Sequence, residues 1–374
     1  MNQPTKLKTL LVLSLSGLVL AACSPASEPE TTEQDPTEST SEPVDTDSNA
    51  DTDTDDQSTL SQNLLDWLPM KEDTTFVYDG EGDEFASFKV YPQFIHSDTL
   101  QFSESNGGTT NVKLYEYSEN EVREVFVRDE TYFRDDLADT GLSSEQEDFE
   151  ILIQAPVEIG KSWESPSGSI SEISDANVEI DTPSGTYSAL EITRTLDNQT
   201  TKLYYAKDIG LVQKVSEPDS DSPVTSSLSE IQADTKEEIP FSLYELNEMA
   251  TALTTKDASL VLSTNDPARL QLTEILNGET DDMTIPTLTD NAMINYLYLG
   301  NDQIVHVDFS EELVTEMNAG AGIESLLIQS LVNTIGSLYQ VDEVLLTVED
   351  QPYASGHLSF EEGQTMSVDL SNIE

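Results

Sequence analysis

The chain has one cysteine, three histidines and only sixteen lysines and arginines in 374 residues. The single cysteine, Cys23, permits no internal disulfide and no cysteine-based metal site in the rest of the chain. His96, His306 and His357 stand far apart and lack the His-Glu-x-x-His helix spacing of a zinc hydrolase. His306 alternates with Asp308 along a strand-like run, so the two share a face, but nothing points to the further ligands that zinc requires. Sixteen bases against 73 acids give a formal net charge of −57. A chain this acidic repels phosphate backbones and anionic headgroups, so nucleic acid is excluded as a partner. The Gly-x-Ser-x-Gly elbow of a serine nucleophile does not occur, and Gly320-Ala321-Gly322 is only a fragment of a dinucleotide fingerprint. Asp51-x-Asp53-x-Asp55 and the run from Asp79 to Glu84 begin like EF-hand loops. They place Asp56 and Glu84 where glycine is required, and Gln62 and Val90 where glutamate is required. Carboxylate pairs such as Asp135-Asp136 and Glu311-Glu312 arise by chance at this acid content. No catalytic residue, metal ligand or cofactor site is assigned, and an enzyme is not expected.

What is present begins at the amino terminus. Lys6 and Lys8 precede an uncharged apolar run over residues 10–20, too short to span a bilayer core of ~30 Å comfortably. It closes with Leu20-Ala21-Ala22-Cys23. Small residues suit a narrow peptidase groove, and a cysteine at the first mature position offers a thiol for diacylglycerol. The pattern resembles the lipobox of bacterial lipoprotein signal peptides. It implies cleavage before Cys23, lipidation of Cys23 and a membrane anchor on the extracytoplasmic face. Residues 24–59 hold twelve acids, no base and almost nothing apolar. Such a segment cannot bury enough surface to offset its conformational entropy and is expected to be a disordered acidic linker. The remainder still has a net charge of −47, which fits either an extracellular surface adapted to salt or high pH, or a cation-binding surface.

From residue 64 to about 231 short β-type runs alternate with turn residues. Residues 84–95, 109–117, 121–128, 186–196, 200–206 and 210–215 read as strands. Asn106-Gly107-Gly108 is expected to supply positive φ for a hairpin, and Thr182-Pro183-Ser184-Gly185 a tight turn. Leu190 and Ile192 share one face while Glu191 and Thr193 take the other, which predicts a sheet with one buried and one wet side. The runs Gly160-Lys161-Ser162-Trp163, Pro183 to Tyr187 and Tyr204 to Val212 resemble a β module that recurs in bacterial extracellular lipoproteins.

The second half changes character. Strands are expected over 239–246 and 259–263, then a helix capped by Asp266 with Pro267 in its first turn and Gly278 at its end. Strands at 292–299 and 303–309, a long helix at 322–338, a strand at 343–348 and a short one at 356–360 follow. The long helix is apolar over more than half its circumference, wider than the ~100° needed to lie on a sheet. The excess is to be covered by the 267–276 helix, by the β module or by a partner. Val307-Asp308-Phe309-Ser310, Gly320-Ala321-Gly322 with Glu324, Ser330-Leu331-Val332-Asn333-Thr334, Val341, Val344 and Gly356-His357 resemble the GerMN domain of a sporulation and germination lipoprotein. The resemblance covers roughly residues 236–368. It implies a compact α/β module with helices on one face of a small sheet, akin to the ring-building modules of envelope complexes, and no catalysis. That lipoprotein carries two such domains; one is found here.

The expected fold class is α+β: an all-β antiparallel module followed by a small α/β GerMN-like domain. The expected segments are 1–22 signal peptide, 23–60 linker, 61–235 β domain and 236–374 GerMN-like domain. The leading functional reading is a non-enzymatic envelope scaffold that docks onto an envelope protein or the cell wall, with sporulation as its setting. Asp308, Ser310, Glu324, Ser330, Asn333 and His357 are its candidate interface or structural residues. The rival reading is a lipoprotein that binds a ligand within the β domain, and a peptidoglycan hydrolase stands third.

Overall fold

Two meanders build the first module. Strands β1 (Thr75–Glu81), β2 (Phe88–Ile95), β3 (Thr99–Asn106), β4 (Thr110–Tyr117), β5 (Glu121–Arg128) and β6 (Glu150–Gln154) run up and down in chain order. Strands β7 (Ser162–Glu164), β8 (Ile170–Thr182), β9 (Gly185–Leu196), β10 (Gln199–Ala206), β11 (Gly210–Ser216) and β12 (Val224–Gln232) do the same. β1 pairs with β12, so the two meanders join into one antiparallel twelve-stranded sheet that ends in β6 and β7. The sheet curls until those ends meet through side chains. Trp163 donates its indole N–H to the Ile151 carbonyl at 2.9 Å, and Ser165 Oγ accepts the Ile151 N–H at 2.9 Å. The computed structural model describes residues 63–140, 148–278 and 286–374. Cys23, the signal segment and the acidic linker lie outside the described residues.

Period-2 alternation explains the strands. In β4, Val112 and Leu114 are buried on one face while Lys113, Tyr115 and Tyr117 point to the other. Two local expectations need correction. The β3–β4 turn does not rest on positive-φ glycines: the Asn106 side chain accepts the Gly108 and Thr109 N–H groups at 2.7 and 2.8 Å. A Cβ at position 108 would sit 2.7 Å from the ring of exposed Phe85, which would have to move aside. The second correction is the wet face of β9. Glu191 is buried and held by Lys202 at 3.0 Å, so a charge pair is folded into that side.

The second module opens with a hairpin, β13 (Glu237–Leu246) and β14 (Leu253–Leu262). After the short α1 (Leu137–Thr140) of the first module, the longer helices are here: α2 (Ala268–Asn277) and α4 (Ala321–Tyr339), with the single turn α3 (Glu312–Thr315) between them. Pro267 itself caps α2, one residue later than expected, because Asp266 turns back to accept the Ser263 N–H at 2.9 Å. β15 (Ile294–Leu299), β16 (Val305–Phe309), β17 (Glu343–Val348) and β18 (Gln351–Pro352) form the small sheet, with β19 (Met366–Ser367) paired to β17. β16 and β17 are parallel, and such a pair needs a crossover, which α4 supplies. The expected strand at 356–360 reduces to one bridge, Ala354 to Ser359. The fold is α+β.

One face of α4 lies against the small sheet. Its remaining apolar width is covered by β13 and the carboxy-terminal segment rather than by α2, which packs on β14 and β15. The contact with β13 is partly polar. Ser330 Oγ donates to the Tyr244 carbonyl at 2.6 Å, the Tyr244 N–H donates to Thr334 Oγ1 at 3.0 Å, and the Ser242 N–H donates to Ser337 Oγ at 2.9 Å. Helical spacing of 4 and 3 puts these three hydroxyls in one row. They satisfy the free edge of a strand whose other side pairs with β14.

The modules share a core. Phe133, from the segment between β5 and α1, belongs to the cluster formed by Leu243, Leu272, Phe309, Leu331 and Tyr339, and its ring packs 4.5 Å from that of Tyr339.

Candidate functional site

The six residues picked out in the sequence fall into three places. Asp308 is buried at the end of β16; it accepts Asn295 Nδ2 at 2.8 Å, Thr347 Oγ1 at 2.7 Å and the Asp350 N–H at 2.8 Å. Ser310 accepts the Met293 N–H at 3.0 Å, and its hydrogen bond to exposed Glu312 holds that carboxyl below its ordinary range. Glu324 is buried in the first turn of α4 and accepts the hydroxyls of Tyr353, at 2.9 Å, and Ser355. Ser355 also accepts the N–H of exposed His357, so these residues form one neighbourhood. Ser330 and Asn333 are wholly buried. Asn333 donates to the Asp369 carbonyl at 2.8 Å and accepts the Asp369 N–H at 2.9 Å, pinning the carboxy-terminal segment to α4. Among the described residues no group of three or more His, Cys, Asp or Glu side chains is placed to hold a metal ion.

A large concavity lies elsewhere, between the modules. A groove of about 840 Å³ is bordered by Phe94-Ile95-His96 on one side and Tyr296-Leu297-Tyr298 on the other, with Arg134, Asp135 and Asp136 beneath. Side chains alternate between faces, so three consecutive residues border one groove where a strand ends, as β2 does at Ile95, or along a sheet edge. β15 is such an edge. Its outward backbone groups are satisfied at both ends. Thr273 Oγ1 accepts the Ile294 N–H at 3.2 Å, Arg269 donates to the Ile294 carbonyl at 3.3 Å, and Asp135 accepts the Leu299 N–H at 2.9 Å. Two residues before Leu299, Leu297 has the same parity, so its N–H and C=O point into the groove.

The floor is made of buried charge. Arg134 donates to the Gln93 and Ser263 carbonyls, the latter at 2.8 Å, lies 4.7 Å over the Phe94 ring and faces Glu237 at 3.6 Å. Burial pushes the Glu237 carboxyl up and the Arg134 guanidinium down, and each offsets part of the other's shift. Asp135 accepts the Tyr339 hydroxyl at 2.6 Å, and burial raises its carboxyl to about 6. His96 and Asp136 pair at 3.0 Å across the rim. The Tyr298 ring stacks on His306 at 5.1 Å, and His306 is held by Asp302 at 3.2 Å.

The groove thus pairs a strand edge left open at Leu297 with a floor of buried charge. Residues 202–354 match the Germane family, described as sporulation and spore germination. That stretch of the chain is similar to a Germane domain. The match begins inside β10, earlier than the 236 boundary expected from the motifs, and ends at Ala354. β15 therefore lies within the matched residues, whereas Phe94 to His96 come from outside the match. Comparison with curated proteins found no match. Among solved structures, the chain is similar to tandem GerMN domains of the sporulation protein GerM from Bacillus subtilis. That likeness has 17% identity over 34% of this chain and 46% of that one, with a TM-score of 0.28. A candidate lipoprotein of Clostridium perfringens shows 14% identity over 36% of this chain and 88% of that one, with a TM-score of 0.24. One from Parabacteroides distasonis shows 14% identity over 44% and 97%, with a TM-score of 0.28.

Sequence reasoning missed the groove. Asp135-Asp136 reads in sequence as a chance acid pair, yet one member caps β15 and the other pairs with His96. The available signal was Phe133-Arg134: an aromatic and a scarce base inside an apparent loop of an acid-rich chain.

Proposed function

We propose that this chain is a non-enzymatic protein tethered by lipid at Cys23 to the outer face of a membrane, where its Germane domain takes up an extended segment of an envelope protein along β15. The lipobox-like sequence supports the tether, and the description of the Germane family supports a setting in sporulation or germination. The observation that carries the docking reading is the β15 edge, closed at Ile294 and Leu299 and open at Leu297 over a groove of about 840 Å³. Adding a strand to such an edge satisfies backbone groups on both partners, while neighbouring side chains select the sequence. The surrounding charge favours a basic segment.

A photo-crosslinking residue at Leu297, with Leu196 (43% exposed) as the control, tests this in cells of the source organism. A discrete adduct from position 297 and none from 196 is the expected outcome. Equal adducts at both positions, or none at 297, rejects the docking reading. Cys23→Ala is expected to release the protein from the membrane fraction, and retention there rejects the tether.

A further inference from the structure

A second cavity lies between the modules and shares no lining residue with the groove at β15. It holds about 490 Å³, within the ~300–1,000 Å³ of small-molecule sites. The register of the first sheet builds one wall. Lys89 opposes Ser105, Tyr91 opposes Ser103 and Ser105 opposes Thr110, so these side chains share the face opposite to Phe88, Val90 and Phe102. That face looks toward the second module: the Tyr91 hydroxyl reaches the Leu262 carbonyl of β14 at 3.2 Å. Lys236, Glu237 and Glu238, where β13 begins, supply the facing wall, and Tyr132, 37% exposed, borders the cavity.

The polar groups divide into engaged and free. Glu237 accepts Gln93 Nε2 at 3.0 Å and the Ser103 hydroxyl, and it faces Arg134 at 3.6 Å, so its charge is matched inside the protein. Thr75 and Thr235 bond each other through their hydroxyls at 2.8 Å, and Thr110 donates to Ser105 at 2.9 Å. Lys89 and Lys236 are both exposed and, among the described residues, neither side chain has a carboxylate or other polar partner. Lys113, Lys202 and Lys256, by contrast, each hold a carboxylate. In a chain of sixteen bases and 73 acids, two free ammonium groups at one cavity call for an anion. Glu238, which accepts Ser259 Oγ at 3.0 Å, offsets one of them and leaves a single positive charge unmatched. That balance fits a carboxylate better than a phosphate dianion, which the acidic exterior also repels. The Tyr132 hydroxyl and the Gln340 amide are free as well, and each can donate and accept. The exposed Tyr132 ring adds a flat apolar face.

We infer that this cavity binds a saccharide carrying one carboxylate. Lys89 and Lys236, on long flexible stems, take the carboxylate. The sugar hydroxyls exchange hydrogen bonds with Gln340 and with the hydroxyl-lined wall of β3 and β4, and the C–H face of the ring stacks on Tyr132. A hydrophobic acid leaves the amide and hydroxyls of the wall without partners, and a neutral sugar leaves the lysines without one. The source is a free sugar acid or an acidic residue within an envelope glycan; the recognised chemistry is the same.

Calorimetric titration of the full chain with glucuronate, its methyl glycoside, glucose, cyclohexanecarboxylate and N-acetyl-dialanine tests this. The better of the two sugar acids should bind about tenfold or more tightly than each of the other three probes. Raising sodium chloride from ~0.01 to ~0.15 M should weaken it. Lys89→Gln and Lys236→Gln should each weaken that sugar acid about three- to tenfold, and Tyr132→Ala by a similar factor, with melting temperatures unchanged. Tighter binding of the glycoside assigns the site to a glycan residue, and tighter binding of glucuronate assigns it to a free acid. The inference is overturned if neither sugar acid binds, if glucose, cyclohexanecarboxylate or N-acetyl-dialanine binds as well, or if both lysine variants bind as tightly as the native chain.

Discussion

Asp135 joins the two modules through two hydrogen bonds, from the Leu299 N–H and the Tyr339 hydroxyl, and its charge state is set by that position. Its ordinary carboxyl value is 3.8, and burial raises it to about 6 in the folded protein, against opposing pulls from the Leu299 N–H, Tyr339 and Arg128. Between those values the folded state holds a proton that the unfolded state has released. The contribution of Asp135 is therefore most favourable below pH 4 and is lost as pH rises through 6, by roughly 3 kcal/mol at ~1.4 kcal/mol per unit. The difference in stability between the native chain and Asp135→Asn should fall across that window. Urea unfolding at pH 4, 5, 6 and 7 measures it, and a difference that stays flat would show that Asp135 does not titrate there. Asn333, by contrast, works through uncharged bonds to the Asp369 backbone, a role that a polar residue on an otherwise apolar helix allows.

At the scale of elements, legibility followed burial on one face. The α4 helix and β17 were readable, because their apolar residues recur at helical spacing in one and form a dense β-branched run in the other. β3 was not: its outward Gln101 and Ser103 are polar yet buried, one bonded to Gln93 and Asp135 and the other to Glu237. A polar face packed against a neighbouring module looks like a solvent face in sequence. β8 was hidden by two register shifts around Asp175 and by acids along an exposed face. The residue types that line the groove carried little signal, since an edge strand is defined by what fails to pair with it. Two glycines of α4 show how packing decides an element's tolerance. Alanine at 336 would gain about 1 kcal/mol of helix propensity, but its Cβ would fall 2.3 Å from Val368 Cγ2 and 3.0 Å from the Val341 carbonyl. Overpacking of this kind costs about 1–3 kcal/mol, so Gly336→Ala should be destabilised on balance. Gly322→Ala meets nothing within 4 Å and should gain stability, by up to ~1 kcal/mol. Thermal melts of the two variants check both signs.

At the scale of the molecule, the net charge of −47 outside the signal and the acidic linker sets a self-repulsion that salt relieves. Raising ionic strength from 0.01 to 1 M shortens the Debye length from ~30 to ~3 Å. The melting midpoint should rise across a sodium chloride series, and a flat or falling midpoint would place the compensating charges close at hand. The half-buried Lys113, Glu104 and Glu124 group is one exception to that repulsion, as is the Glu191–Lys202 pair.

The closure of the first module also orders events in time. Thr75 of β1 lies opposite Gln232 of β12, roughly 150 residues later in the chain. As the polypeptide is made from its amino end, each early hairpin forms with its immediate successor, while the outer side of β1 waits for the last strand. Until β12 arrives, the growing chain presents an open, extendable edge, and Phe133 has no hydrophobic pocket to enter because the residues that enclose it, from Leu243 to Tyr339, come later still. A nascent chain in that condition is unfinished for most of its synthesis. It stays threadable, and its open edge is the place where a second copy would pair.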